Sequence, residues 1–145
     1  ICDFFCNLYP MLNRDLLLTA AMFHDVGKLS ELSTFPANDY TDDGQLLGHI
    51  MIGAMEVQKH IDQIAGFPKR TASELIHCIL AHHGELEYGS PKKPALAEAI
   101  ALSFADNSDA KLETMREALS NIPENSLEWQ GFNRFLDSNI RRTGK

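Results

Sequence analysis

Apolar residues recur at helical spacing along most of this chain, in segments that stop at glycine or proline, and that pattern restricts the fold to packed helices. A first helix carries Ile1, Phe4, Phe5 and Leu8 at the i, i+3, i+4, i+7 spacing of a buried face and stops near Tyr9-Pro10. Asn13 reads as the N-cap of a second helix, residues 14 to 26, which is apolar nearly all round (Leu16, Leu17, Leu18, Ala20, Ala21, Met22, Phe23) and ends at Gly27. Asp42 and Gln45 resemble a capping box opening a third helix through about Ala65. Thr71 and Glu74 repeat the pattern ahead of a fourth helix, which runs into His82-His83-Gly84. A fifth spans about Ala95 to Leu119.

Between the second and third helices, LSELSTFPANDYTDDG (29–44) has no helical period and is expected to be a long loop, with room for a short hairpin. After Pro123, the residues Trp129, Phe132, Phe135, Leu136 and Ile140 are expected to form a short packing helix. The expected class is all-α, a bundle of five to six helices. It divides into a main domain over 1–122, incomplete at its N-terminus, and an extension over 123–145 packing on it.

With 145 residues, 44% of them hydrophobic, the chain can bury one core but hardly two. No apolar run approaches the roughly 18 to 20 residues that cross a bilayer, and no signal-peptide pattern opens the chain, so a cytoplasmic protein without membrane contact is expected. Cys2, Cys6 and Cys78 lack CxxC spacing and read as reduced packing residues. A net charge of −7 argues against a surface that coats nucleic acid broadly, because such surfaces neutralise phosphates with Lys and Arg. It leaves room for a local basic patch.

His24-Asp25 ends the second helix, His49 comes early in the third, His82-His83 end the fourth, and Asp106 lies inside an apolar stretch of the fifth. Imidazole and carboxylate suit divalent Mn, Fe, Co, Ni or Zn, and bundles build such sites from facing helices. A histidine on an apolar face is, taken singly, more often a hydrogen-bonded core residue. His60 and His77 are read that way.

AMFHDVGKL (21–29), GHIMIG (48–53), AHHGE (81–85) and FADNSDA (104–110) occur in that order. Over residues 11 to 118 the chain thereby resembles the HD-domain metal-dependent phosphohydrolase superfamily, and within it the HD domains of YhaM-type 3′→5′ exoribonucleases. The resemblance implies that His24, Asp25 and Asp106 ligate one metal, that His49, His82 and His83 serve a second, and that Asp25 bridges. The implied cofactor is one or two divalent ions, Mn²⁺ first, with Fe²⁺, Co²⁺, Ni²⁺, Mg²⁺ or Zn²⁺ as alternatives. It implies hydrolysis by metal-activated hydroxide, because paired cations lower the pKa of water and offset phosphate charge.

Asp25 and Lys28 are the expected catalytic residues, Lys28 reaching a non-bridging phosphate oxygen; its other reading is a cation at a helix C-terminus. Lys28, Tyr88, Lys92, Lys93 and Asp109 are candidate substrate contacts, through base stacking, phosphate pairing or ligand orientation. Gly27 and Gly84 are read as helix stops that also let substrate approach the backbone. Arg141, Arg142 and Lys145 form a basic end that either touches RNA or is simply solvated.

The implied partner is RNA, single-stranded nucleic acid or a nucleotide, with a homo-oligomer left open. Alternative functions are a nucleotide or cyclic-nucleotide phosphohydrolase and a non-catalytic HD binding or regulatory module. The family also uses a histidine before the HD pair, which this sequence lacks and which is expected upstream of Ile1; the YhaM type carries an OB-fold module before the HD domain, and none is visible in these residues.

Overall fold

Asn13 starts a helix that carries Leu16, Leu17 and Ala20 into the core. Its side chain accepts the Leu16 N–H at 3.2 Å, while its own N–H donates to the buried carboxylate of Glu98 at 2.7 Å, so both groups at this helix start are satisfied. The computed structural model describes residues 1–144. It contains α1 (Cys2–Leu8), α2 (Arg14–Phe23), α3 (Lys28–Glu31), α4 (Asp42–Ile61), α5 (Lys69–Leu80) and α6 (Ala97–Leu119), followed by a two-residue antiparallel ladder, β1 (Phe132–Asn133) with β2 (Ser138–Asn139). The class is therefore helical, as expected. Among the described residues, no helix is long and apolar enough to cross a membrane.

The chain divides into two compact units, Ile1–Ala105 and the residues from Asp106 on. In the first, α2 packs on α1 and α5, and α4 packs on α3 and α5. Leu16, Leu17 and Ala20 of α2 meet Ala54 and Val57 of α4, Leu75, Cys78 and Ile79 of α5, and Ala99 and Leu102 of α6 in one apolar cluster. Leu17 and Ile79 have no exposed surface at all. Removing side chains of this kind costs about 2–5 kcal/mol each.

Several elements differ from the sequence expectation. Ile1, Phe4 and Leu8 are more than half exposed, and α1 instead turns Cys2 and Cys6 toward the core. Helix α2 stops at Phe23, and Met22 is 70% exposed, so it is not buried all round. The expected loop begins with a helical turn, α3, and its ends are closed by an isolated bridge between Leu32 and Tyr40. Thr41, rather than Asp42, caps α4 by accepting the Gly44 N–H at 3.0 Å, and α5 starts after Pro68 with no side-chain cap.

In the second unit the expected packing helix is a hairpin. Asn133 accepts the Leu136 N–H at 3.0 Å and Asp137 adopts φ +50°, which closes a turn where a helix would have to continue. Arg142 is committed to the chain itself. Its Nη2 donates to the carbonyls of Leu119 and Ile122, at and just beyond the C-terminus of α6, where such groups lack helical partners. Arg141 lies 5.0 Å over the Trp129 ring. Lys145 lies outside the described residues.

Candidate metal centre

The centre begins with a contact between two glycines. A Cβ on Gly27 would stand 2.0 Å from the His49 carbonyl oxygen and 2.6 Å from the Gly53 nitrogen, so the turn after α2 presses its backbone directly against α4. That approach sets Asp25, two residues earlier, beside His49. Asp25 Oδ1 is 3.6 Å from His49 Nε2 and 3.8 Å from His82 Nε2, and Oδ2 is 3.5 Å from His24 Nε2 and 2.7 Å from Lys28 Nζ. Residues from α4, from the end of α5 and from the α2–α3 turn thus meet at one carboxylate.

Each imidazole is fixed through its other nitrogen. Nδ1 of His24 is 2.9 Å from the Ala21 carbonyl, Nδ1 of His82 2.7 Å from that of Ile79, and Nδ1 of His83 2.7 Å from that of Tyr88. His49 differs, its Nδ1 lying 3.2 Å from the carboxylate of Glu31. Carbonyl and carboxylate oxygens only accept, so Nδ1 carries the proton and Nε2 keeps its lone pair. Burial first, then the neighbouring rings of His83 and His24, pushes His82 down to about 4 from an ordinary 6.5, against the raising effect of its hydrogen bond to Ile79. A neutral ring is the ligand form.

Three buried atoms in this cluster, Asp25 Oδ1, His49 Nε2 and His82 Nε2, have no hydrogen-bond partner. Acceptors aimed at other acceptors are costly unless a cation lies between them. One nitrogen from each of His49, His82 and His83 lies within 4.8 Å of the others, close enough for a single ion to engage all three. The donor set fits a divalent transition metal, and it offers no thiolate to draw the site toward softer ions.

The other expected residues are placed as follows. Lys28 opens the single-turn helix α3, and its Nζ is 2.7 Å from Asp25 Oδ2. Tyr88 contributes its backbone carbonyl to His83 while its side chain is largely exposed. Lys92 is exposed, and Lys93 pairs with Glu85 at 2.5 Å. Between them and the core, buried Ser90 donates to the carbonyls of Leu80 and Lys92 and ties the loop down. Asp106, half-buried, and Asp109, exposed, lie on the part of α6 that belongs to the second unit.

Gly27 and Gly84 serve helix packing rather than open access to backbone, since a Cβ on Gly84 would stand 2.4 Å from Ser103 Oγ. His77 accepts the Ala95 N–H at 2.9 Å and His60 pairs with Glu56, so neither joins the cluster. Sequence reasoning missed Glu31. The available signal was that KLSE, after Gly27, contains no helix breaker and could form one more turn.

A family model for the HD domain matches residues 5–111, most of the chain. The chain belongs to the HD domain family. This HD domain is 44% identical over 116 residues to the 3'-5' exoribonuclease YhaM of Geobacillus sp. (strain WCH70), covering 80% of the chain and 36% of the relative. To the protein of the same name from Bacillus subtilis (strain 168) it is 43% identical over 116 residues, 80% of the chain and 37% of the relative, and to that of Bacillus pumilus (strain SAFR-032) 42%, with the same coverage. The HD domain described here thus spans little more than a third of the length of these relatives. No solved structure matches it.

Proposed function

We propose that this HD domain is the metal-dependent phosphodiesterase centre of a 3′→5′ exoribonuclease-like enzyme acting on RNA or single-stranded nucleic acid. The observation that carries the reading is the convergence of three buried, unpartnered acceptors, Asp25 Oδ1, His49 Nε2 and His82 Nε2, on one small space. The likeness to relatives named as exoribonucleases supplies the substrate class.

His49, His82 and His83 would hold one divalent cation. His24 and Asp25 would hold a second, with Asp25 shared; Asp106 joins them only on the resemblance of its FADNSDA segment. Mn²⁺ is the proposed ion. When bound, such ions lower the pKa of water and neutralise charge growing on the phosphate. The chain's own groups do the rest. Lys28, held beside Asp25, would meet a non-bridging oxygen of the scissile phosphate as a point charge. Tyr88 would stack on a base, Lys92 and Lys93 would meet flanking phosphates, and Asp109 would orient substrate.

The test pairs metal content with cleavage. The chain should bind Mn²⁺, and Asp25→Ala should remove both metal and turnover of bis-p-nitrophenyl phosphate. Single-stranded RNA labelled at its 3′ end should release labelled mononucleotide before any shorter internal fragment forms. Internal cuts would exclude an exonuclease. Metal binding without turnover of either substrate, with Mn²⁺, Fe²⁺, Co²⁺ or Mg²⁺, would instead make the domain a binding module.

A further inference from the structure

Helix α4 contains a break that regular helix geometry does not require. Gly48 stands at φ +71°, ψ 158° inside it, so the N–H of His49 cannot donate to the carbonyl four residues back as it would in an unbroken helix. That N–H donates instead to Glu31 Oε1 at 2.9 Å, and the same oxygen is 3.2 Å from Nδ1 of the His49 ring. One carboxylate oxygen therefore takes both protons of a single residue, the main-chain one and the ring one.

Glu31 is held for this. It is 8% exposed, at the end of α3. Its carbonyl accepts from the Thr41 N–H at 2.9 Å and from the Thr41 hydroxyl at 3.2 Å, the same threonine that caps the start of α4. Its carboxylate stands at the N-terminus of the second half of α4, where the exposed N–H groups favour negative charge. The other three imidazoles of the cluster lean on neutral carbonyls. His49 instead has a carboxylate at its Nδ1, which fixes the ring orientation and favours the opposite nitrogen as a ligand.

We infer that Glu31 is a positioning residue for the centre: it caps the broken helix and, through the same oxygen, orients and strengthens His49 as a donor to a divalent cation. The inference rests on the metal-binding reading above. Glu31 meets the His49 ring at Nδ1, on the side away from Nε2, so its assigned role is exerted through His49.

The experiment measures Mn²⁺ affinity by chelator competition in the wild-type chain, in Glu31→Gln, in His49→Asn and in the double variant, with helical content followed by circular dichroism. Glu31→Gln keeps an acceptor for the cap and loses the charge. Its Mn²⁺ dissociation constant should rise about 10- to 100-fold, the usual effect of losing such a partner, with helical content unchanged. In the His49→Asn background the same substitution should change affinity less than twofold. A lower melting temperature with an unchanged dissociation constant would make Glu31 a cap only and overturn the inference, leaving the metal reading intact.

Failure of the wild-type chain to bind Mn²⁺ would overturn both. Should Glu31→Gln not fold, ¹⁵N NMR of the wild-type histidines decides. His49 should carry its proton on Nδ1 and shift at Nε2 on Mn²⁺-free Zn²⁺ titration; a proton on Nε2 would overturn the inference.

Discussion

His82 shows how one buried ring couples the centre to the stability of the fold. Its side chain is fully buried and its folded pKa is lowered to about 4 from 6.5, chiefly by burial. The unfolded chain therefore binds the proton more readily, so the contribution is present above pH 6.5 and is lost as pH falls toward 4. With chelator present, the melting temperature should drop across that window, and His82→Gln should flatten the drop; an equally steep profile in the variant would place the acid sensitivity elsewhere. Residues of this kind were legible because His and Asp recur at helix ends in a recognisable order. Glu31 was not, because nothing along the chain marks a carboxylate whose partner lies eighteen residues on, across a break at Gly48 that has no sequence symbol beyond glycine itself.

At the scale of elements, caps and stops were readable where local chemistry decides them. Asn13 caps α2 as its residue type suggests, and Gly66 and Pro68 fall between α4 and α5. Faces were harder. Helical spacing in α1 defines an apolar stripe, yet nothing local says whether a neighbour covers it, and Phe4 remains 63% exposed. The hairpin of the second unit is hard to read from sequence because short apolar runs do not distinguish the two periods, and the turn chemistry of Asn133 and Asp137 decides between them.

The two structural glycines should behave differently when changed. Gly27→Ala forces a methyl onto two backbone atoms that cannot yield, and should cost about 3 kcal/mol or more in urea unfolding. Gly48→Ala has open space around the new methyl but a backbone conformation that essentially only glycine adopts, so about 1–3 kcal/mol is expected. The reverse ranking would contradict the packing of the α2–α3 turn on α4.

For the whole molecule, charge sets the terms on which a polyanion can approach. At −7 the chain repels RNA at long range, and the proposed cationic contacts are three, Lys28, Lys92 and Lys93. Each phosphate neutralised on a single strand contributes a slope of about −0.7 in log affinity against log salt, so the total should be no steeper than about −2. A slope of −4 or beyond, measured by filter binding at several salt concentrations, would reveal basic contacts that the described residues do not suggest.

The contact between Gly27 and α4 has a final consequence for how the centre is framed. Because main chain meets main chain there, the spacing of the two backbones that carry Asp25 and His49 has no side chain between them to give way. Two residues without functional groups thus fix the frame on which a carboxylate and an imidazole are mounted, and a side chain at either position would displace that frame while leaving every donor atom in place.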